Sequence, residues 1–220
     1  DFNRDGWVDL YVTRLDNTDV LFQNNKDGTF SDVTAIAFGP EPPNLPTNGA
    51  QSADIDNDGD QDLYVTALET NQFFLYINDG SGRFHEQALT RGAALAKPDE
   101  HFGFSAAFGD FDRDGYLDLH TTEWRLKYQN RTGAPFNSRL LRNRGASQPG
   151  HFLDVTETAG VLMETRSSPD ITVDAQSFAS RFTDLDSDGH SDLIVASDHL
   201  TSGLFWNNGD GTFTDVSLRS

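Results

Sequence analysis

The segment DFNRDGWVDLYV at residues 1–12 sets a pattern that three later segments repeat. These are DIDNDGDQDLYV at 54–65, DFDRDGYLDLHT at 110–121 and DLDSDGHSDLIV at 184–195. Each segment alternates acidic or amide side chains up to a glycine, and then continues through an aspartate into an apolar run. A pattern that recurs in this way is typical of repeat architectures. We therefore interpret the chain as a series of similar structural units.

A second recurring phrase follows each segment. It reads VLFQNNKDGTFSDVT at 20–34, FLYINDGSGRFHE at 74–86, LLRNRGASQPGHFLDVT at 140–156 and LFWNNGDGTFTDVS at 204–217. Asn, Asp and Gly between two apolar runs are the residues that a tight β-hairpin requires. Small residues are frequent before the later segments, in GAQSA at 49–53, GFSAAFG at 103–109 and AQSFASRFT at 175–183. Such strands suit the crowded axis of a β-propeller.

These patterns predict an all-β fold, namely a β-propeller of four-stranded antiparallel blades with Asp-rich loops. No apolar stripe follows the helical period over three turns. The repeats are assigned to residues 1–48, 49–102, 103–174 and 175–220 of a single propeller region. Within the second repeat, strands are predicted at 63–66, at 73–77 and around Phe84. The links at 35–48, 88–101 and 158–174 are predicted to be loops or short turns.

Composition excludes several classes of partner and site. The 220 residues include 35 acidic and 16 basic side chains, for a formal charge of −19. Such a chain is a poor partner for nucleic acid or anionic membranes and a good one for cations. The absence of cysteine removes disulfides, thiolate metal sites and cysteine nucleophiles. Mean hydropathy is −0.55, and no apolar run is long enough to predict membrane insertion.

Each repeated segment has the ligand pattern of an oxygen cage for a metal ion. Side-chain oxygens stand at positions 1, 3, 5 and 9, a glycine at position 6 permits a sharp turn, and position 7 would add a backbone carbonyl. The predicted ligands are Asp1, Asn3, Asp5, Trp7 and Asp9; Asp54, Asp56, Asp58, Asp60 and Asp62; Asp110, Asp112, Asp114, Tyr116 and Asp118; and Asp184, Asp186, Asp188, His190 and Asp192.

The chemistry of these ligands favours calcium over magnesium and disfavours zinc. An EF-hand is excluded, because position 12 is Val12, Val65, Thr121 or Val195 where that motif needs a bidentate glutamate. The alternative is that Asp, Asn and Gly only mark solvated turns. Four copies at a common period favour metal sites, so we expect about four bound Ca²⁺ ions. Because neighbouring carboxylates repel one another without a cation, calcium is expected to be part of the fold.

The DxDxDGxxDL segment and the LFxNNxDGTFxDVT phrase together resemble the FG-GAP or VCBS-type repeat of integrin-alpha-like propellers. GFSAAFGDFDRDGYLDL at 103–119 and FLDVTETAGV at 152–161 resemble most the cartilage acidic protein and ASPIC/UnbV-associated branch. The resemblance covers essentially the whole chain. It implies a propeller of usually seven blades, calcium in the loops, and an extracellular, cell-surface or periplasmic location. Only four repeats are present, so we expect part of a longer propeller; a four-bladed ring is the alternative.

The third repeat contains an insertion with a different composition. Residues 120–144 hold six basic side chains against Glu123 alone, with aromatic residues between them. Arginine and aromatic residues are enriched at binding hot spots, and long loops on rigid scaffolds often carry function. The predicted partner-binding residues are Trp124, Arg125, Lys127, Tyr128 and Arg131. In the alternative interpretation the aromatic rings pack beneath the loop and its charges balance neighbouring acidic loops.

The sequence predicts an extracellular calcium-binding propeller that serves as an adhesion, protein-interaction or assembly module. Its expected partner is a protein or glycan at the cell surface or in the matrix, or further repeats or copies of the chain itself. The alternatives are a lectin-like carbohydrate-binding module and an accessory propeller of a polysaccharide-processing enzyme. Catalysis is not expected, because the sequence contains neither a nucleophile elbow nor a phosphate-cradling glycine loop.

Overall fold

The computed structural model describes residues 1–16, 18–39, 44–96, 101–124, 138–163, 175–198 and 200–217. Within these ranges the chain is built almost entirely of antiparallel β-strands, which confirms the all-β prediction. The described helical structure is one short α-helix, α1 (Thr34–Ala37), and one 3₁₀ turn, η1 (Gly145–Ser147). None of the described helices is both long and apolar enough to span a bilayer.

The strands form four sheet units in chain order. Unit 1 contains β1 (Leu10–Val12), β2 (Val20–Asn24) and β3 (Phe30–Asp32). Unit 2 contains β4 (Thr47–Ala53), β5 (Asp62–Thr70), β6 (Phe74–Asn78) and β7 (Phe84–Glu86). Unit 3 contains β8 (His101–Gly109), β9 (Asp118–Glu123), β10 (Arg139–Asn143) and β11 (Phe152–Asp154). Unit 4 contains β12 (Ser177–Thr183), β13 (Asp192–Ser197), β14 (Gly203–Asn207) and β15 (Phe213–Asp215).

Within every unit, strands that follow one another in sequence pair antiparallel, an arrangement consistent with propeller blades. One pairing was not predicted from the sequence. Strand β5 runs to Thr70, beyond the predicted end at residue 66, and pairs with β8 through Leu68 with Phe102 and Thr70 with His101. This contact joins units 2 and 3 into one eight-stranded sheet.

The DVT and DVS ends of the hairpin phrase connect the outer strands of units 1, 3 and 4 to the neighbouring strand. Asp32 accepts hydrogen bonds from the backbone nitrogen and the hydroxyl of Thr34, at 3.0 and 2.6 Å. The Thr34 Oγ1 atom in turn accepts a hydrogen bond from the Leu21 nitrogen at 3.0 Å. The same pair of contacts recurs in units 3 and 4, at Asp154 with Thr156 and at Asp215 with Ser217. In unit 1 this turn leads directly into α1, so the link at 35–48 begins with a helix and ends in β4.

Among the described residues, the hydrophobic core lies between successive units and forms three clusters. Each cluster forms because one sheet face of a unit packs against the opposite face of the next unit, and alternate residues of a strand point to opposite faces. The clusters between units 1 and 2, 2 and 3, and 3 and 4 include Leu21 with Val65, Leu75 with Leu119, and Leu140 with Leu193, respectively. The loops that carry the candidate metal ligands connect the first two strands of units 2, 3 and 4.

Candidate metal centres

The four Asp-rich loops adopt one backbone conformation. Position 4 and the glycine at position 6 both have positive φ, for example 59° at Asn57 and 90° at Gly59. A positive φ strains a residue that has a side chain. The φ angle is larger at position 6 than at position 4, and position 6 is the one that holds glycine in every loop. The corresponding pairs in the other loops are Arg4 with Gly6, Arg113 with Gly115, and Ser187 with Gly189.

Hydrogen bonds from backbone nitrogens hold the acidic side chains inside each loop. In the second loop, Asp54 accepts a hydrogen bond from the Gly59 nitrogen at 2.9 Å, and Asp58 accepts one from the Asp60 nitrogen at 2.9 Å. Equivalent bonds from positions 6 and 7 to positions 1 and 5 are present in the other three loops. The carboxylates at positions 1 and 5 are therefore oriented by the protein backbone.

Three of the loops bring carboxylate oxygens close together. In each group, one oxygen of each residue lies within 4.8 Å of the others. The groups are Asp54, Asp56 and Asp58; Asp110, Asp112 and Asp118; and Asp184, Asp186 and Asp192. Within the described part of the chain, the first loop forms no such group, and it has Asn3 where the others have a third-position aspartate.

The second loop also contains oxygens that no protein group satisfies. Within the described residues, the buried Oδ1 atoms of Asp54 and Asp56 have no hydrogen-bond partner. A buried carboxylate oxygen is costly without a donor or a cation. Burial is also the main reason that the pKa of Asp112 in the third loop is raised, with further contributions from Asp114 and Asp110. Clustered hard oxygens with unsatisfied negative charge fit Ca²⁺, which the side chains at positions 1, 3 and 5 would hold together with position 9.

The aspartate at position 9 has a second role that the ligand pattern does not predict. One oxygen of Asp62 accepts a hydrogen bond from the Ile55 nitrogen at 3.3 Å, and the other accepts one from the Asn78 nitrogen at 2.9 Å. The same two contacts are made by Asp9, Asp118 and Asp192. This residue thus ties the start of the loop to the first strand of the hairpin in its own unit.

Burial changes the ionisation of two of these aspartates. It raises the pKa of Asp62 to about 7 and that of Asp118 to about 8, against the hydrogen bonds that they accept. Neighbouring acidic groups of the same loops raise both pKa values further: Asp56 and Asp58 for Asp62, and Asp112 and Asp114 for Asp118. Without a cation, both side chains are therefore partly protonated near neutral pH.

An asparagine of the hairpin phrase connects neighbouring units. The Nδ2 atom of Asn78 donates to the Phe2 carbonyl of unit 1 at 2.7 Å. Asn143 and Asn207 donate in the same way to the carbonyls of Ile55 and Phe111, each at 2.8 Å. From the sequence, these asparagines are predicted only as hairpin-turn residues. Their recurrence at one place in every repeat is the signal of a further role.

The loops themselves are also linked across units. Arg4 of the first loop donates from Nε to the Gly59 carbonyl at 2.9 Å, and Asn57 of the second loop donates to the Gly115 carbonyl at 2.9 Å. Arg4 also lies 2.6 Å from the carboxylate of Asp60, a residue predicted to contribute only its carbonyl. Burial raises the pKa of Asp60 in spite of Arg4. The first three loops are consequently linked to one another in chain order.

Only one of the predicted partner-binding residues lies in the described part of the chain. Trp124 is half-buried; its Nε1 atom donates to Asp198 of unit 4 at 3.0 Å, and its ring lies 6.0 Å from Phe104 and 6.3 Å from Phe178. Trp124 therefore connects units 3 and 4. Arg125, Lys127, Tyr128 and Arg131 lie outside the described residues.

Comparison with known proteins identifies one family. The model of the FG-GAP-like repeat matches residues 1–65, 54–121 and 184–220. No curated protein matches the chain. Among solved structures, a lectin of Agrocybe aegerita, described as recognising non-reducing terminal N-acetylglucosamine, is 18% identical, with a TM-score of 0.49. The match covers 97% of this chain and 49% of the lectin chain, so this chain spans about half the length of that structure.

Proposed function

Because the chain belongs to the FG-GAP-like repeat family, we propose that it is a calcium-stabilised β-propeller module that binds macromolecular partners outside the cell. In this proposal the four sheet units are blades of a propeller. The integrin-alpha-like propellers that the sequence resembles usually have seven blades. The four loops hold Ca²⁺, and the module serves adhesion, protein interaction or assembly without catalysis. We also propose that, within this family, the chain is most similar to the cartilage acidic protein and ASPIC/UnbV-associated branch.

The observation that carries the proposal is the preorganised acidic cage that the loops form. The backbone already holds the carboxylates together, although like charges at this distance repel. A divalent cation removes that repulsion and supplies the partner that the Oδ1 atoms of Asp54 and Asp56 lack. The same donor set offers neither thiolate nor a histidine cluster, which supports calcium over zinc.

Calcium at these loops would stabilise the stacking of the units as well as each loop. Arg4 and Asn57 donate hydrogen bonds to backbone carbonyls of the following loops. Asp62 and Asp118 accept hydrogen bonds from the third strands of their own units. An ion that orders one loop therefore restrains the contacts to both neighbouring sheets. This connection supports the expectation that the metal contributes to the fold, as binding to the native state alone always does.

Thermal unfolding with and without calcium tests the proposal. Chelation by EDTA should lower the melting temperature by more than about 5 °C relative to saturating calcium, since ligand at about 100 times its Kd adds roughly 2.7 kcal/mol per site. Magnesium should restore less of this stability than calcium does, because the cage resembles the larger ion's flexible all-oxygen sites. Titration calorimetry of the chelated protein should detect about four sites.

A matched pair of variants separates loop binding from general charge effects. Asp56→Asn removes one carboxylate of the second cage and should remove one site from the titration. Asp16→Asn makes the same charge change at an exposed residue away from the loops and should leave all sites intact. Melting temperatures that do not respond to calcium, together with an empty titration, would contradict the proposal.

A glycan is the second candidate partner, and the aromatic group of Phe104, Trp124 and Phe178 favours it. These half-buried rings pack against one another, and Trp124 also donates to Asp198. The group thus combines apolar faces with a polar acceptor, as sites for amphipathic ligands do. A glycan array should then show binding that Trp124→Ala abolishes and Trp7→Ala, at an exposed tryptophan of the first loop, retains. Silence of the array across all glycans would remove this candidate.

A further inference from the structure

The second Asp-rich loop holds its position-3 side chain differently from the other three loops. In those loops, an oxygen of Asn3, Asp112 or Asp186 accepts a hydrogen bond from the position-5 nitrogen, at 3.1, 3.3 and 3.2 Å. The equivalent residue is Asp56, whose Oδ1 atom has no hydrogen-bond partner among the described residues. Its Oδ2 atom instead accepts a hydrogen bond from Nη1 of Arg91 at 3.2 Å. Asp56 is therefore held by a side chain from outside its own loop.

Several contacts fix Arg91 beside the second loop. Arg91 lies in the turn after β7, and its side chain is only 12% exposed. Its Nε atom donates to Gln87 Oε1 at 2.9 Å, and its Nη1 atom donates to the Pro149 carbonyl at 3.3 Å. Pro149 belongs to the hairpin between β10 and β11, and the next residue is Gly150, where any Cβ atom would overlap Nη1 of Arg91. The guanidinium is thus a fixed positive charge that units 2 and 3 hold together.

Unit 3 contains the same turn without the arginine. The Arg91 nitrogen donates to the carbonyl of the residue four positions earlier, and the Arg91 carbonyl accepts a hydrogen bond from the next unit. Ala159 of unit 3 makes the same two backbone contacts, and its side chain is buried between units 3 and 4. In the third loop, Asp112 keeps the contact with the position-5 nitrogen. The altered orientation of Asp56 therefore accompanies the arginine.

The grouping of the carboxylates differs in the same loop. The close oxygens of the third and fourth loops belong to positions 1, 3 and 9, whereas those of the second loop belong to positions 1, 3 and 5. Asp56 is thus a member of its cage while one of its oxygens is bound to Arg91. A hydrogen bond between ionised groups is stronger than one between neutral groups. A cation that uses this oxygen must displace Arg91 or share the carboxylate with it.

Building on the proposal that the loops bind Ca²⁺, we propose that Arg91 is a built-in counter-cation of the second loop, which competes with Ca²⁺ for Asp56 and lowers the calcium affinity of this loop. Two positive charges at one carboxylate repel each other, and the packing around Arg91 restricts its retreat. Arg91 also relieves part of the repulsion between the carboxylates of the calcium-free loop. Calcium then has less repulsion to remove. The second loop consequently fills at a higher calcium concentration than it would without the arginine.

Two other roles of Arg91 make different predictions. If Arg91 only oriented Asp56 for the metal, its removal would weaken calcium binding to the second loop. If it only packed unit 2 against unit 3, its removal would lower stability and leave the calcium affinity unchanged. Competition alone predicts tighter binding after its removal, so the sign of the change distinguishes the three roles.

The glycine amides at position 6 allow each loop to be followed separately. The Gly59 nitrogen donates to Asp54 at 2.9 Å, and the Gly115 nitrogen donates to Asp110 at 3.0 Å. NMR of the chain labelled with ¹⁵N-glycine, titrated in calcium–chelator buffers, yields one Kd for each loop. Arg91→Ala should lower the Kd reported by Gly59 about tenfold, which corresponds to about 1.4 kcal/mol. The Kd reported by Gly115 should not change. The turn accommodates alanine, because unit 3 has Ala159 in this place.

Three further variants complete the test. Arg91→Gln removes the charge but keeps a donor for the Pro149 carbonyl, so it should tighten binding as Arg91→Ala does. Arg91→Lys keeps the charge and should retain the weaker affinity of the wild type. Arg83→Ala removes an exposed positive charge from the hairpin of the same unit and should leave the Gly59 Kd unchanged.

The outcomes separate this proposal from the one on which it rests. Circular dichroism in saturating calcium verifies that each variant is folded. An unchanged or larger Kd at Gly59 in both Arg91→Ala and Arg91→Gln, with Gly115 still responding to calcium, would overturn the role of Arg91 alone. Glycine amides that do not respond to calcium in the wild-type chain would overturn both proposals.

Discussion

Units 1 and 2 have nearly the same sequence pattern but different surroundings. Leu10 and Leu63 follow the position-9 aspartate of their loops in the same way, yet one is 46% exposed and the other 6%. Asn24 and Asn78 occupy the same place in their hairpins, and only Asn78 reaches a neighbouring unit. The comparison shows that a repeat specifies both of its docking faces locally, while burial of those faces depends on whether another unit follows or precedes.

The largest expected difference concerns the apolar faces. Leu63→Ala should lower the free energy of unfolding by about 2–5 kcal/mol, because it opens a cavity between two packed sheets. Leu10→Ala should cost less than about 1 kcal/mol in the monomer, where its side chain is already half in water. Urea denaturation at low micromolar protein concentration measures both. Equal costs at the two positions would mean that the exposed face of unit 1 is covered in solution.

The second expected effect is a pH dependence of stability, caused by the buried carboxyl groups of Asp62 and Asp118. The pKa values of Asp62 and Asp118, about 7 and 8, exceed the value of about 4 of an unfolded aspartate. Their contribution to stability is fully present below about pH 4 and is lost as the pH rises through about 7 to 8. In EDTA, the free energy of unfolding should therefore fall between about pH 4 and pH 8.

Saturating calcium should remove this decline, because the cation favours the ionised carboxylates. Asp118→Asn should make the chelated protein's profile flatter, since the substituted side chain does not titrate. Asp79, exposed and with a pKa lowered to about 2 by its bonds to Ser81, acts only below this window, so Asp79→Asn is the control. Thermal unfolding across the pH range provides the data, and a chelated protein that gains stability from pH 4 to 8 would refute the assignment.

The smallest expected difference lies in the asparagine contacts. Asn143→Ala should cost about 1–3 kcal/mol, since Asn143 is 1% exposed and its loss leaves the carbonyls of Ile55 and Leu117 without a donor. Asn24→Ala should cost about 1 kcal/mol or less, because Asn24 spans no interface in the monomer. Chemical denaturation of the two variants under identical conditions makes the comparison; a cost for Asn24→Ala that matches Asn143→Ala would show a neighbour bound to unit 1.

Much of the fold could be predicted because it depends on interactions between residues that are close in sequence. The alternation after Asp62 and the Asn-Gly and Asp-Gly turns predict strands and hairpins directly from steric preferences. Candidate loop ligands could be proposed for the same reason, since those of each loop lie within nine residues. The pairing of β5 with β8 could not be predicted, because Thr70 and His101 meet only after units 2 and 3 are placed side by side.

The sequence by itself determined the all-β repeat, the position of its loops and the type of atom that they present, because these depend on short-range backbone geometry. Only the tertiary structure decided what each repeated residue touches. His120 takes the strand position that Tyr64 holds in unit 2, and complete burial lowers its pKa to about 3. Asp62 is at once a candidate ligand and an anchor for Asn78. Such roles depend on the desolvation and long-range contacts that sheet stacking creates, and a linear pattern contains neither.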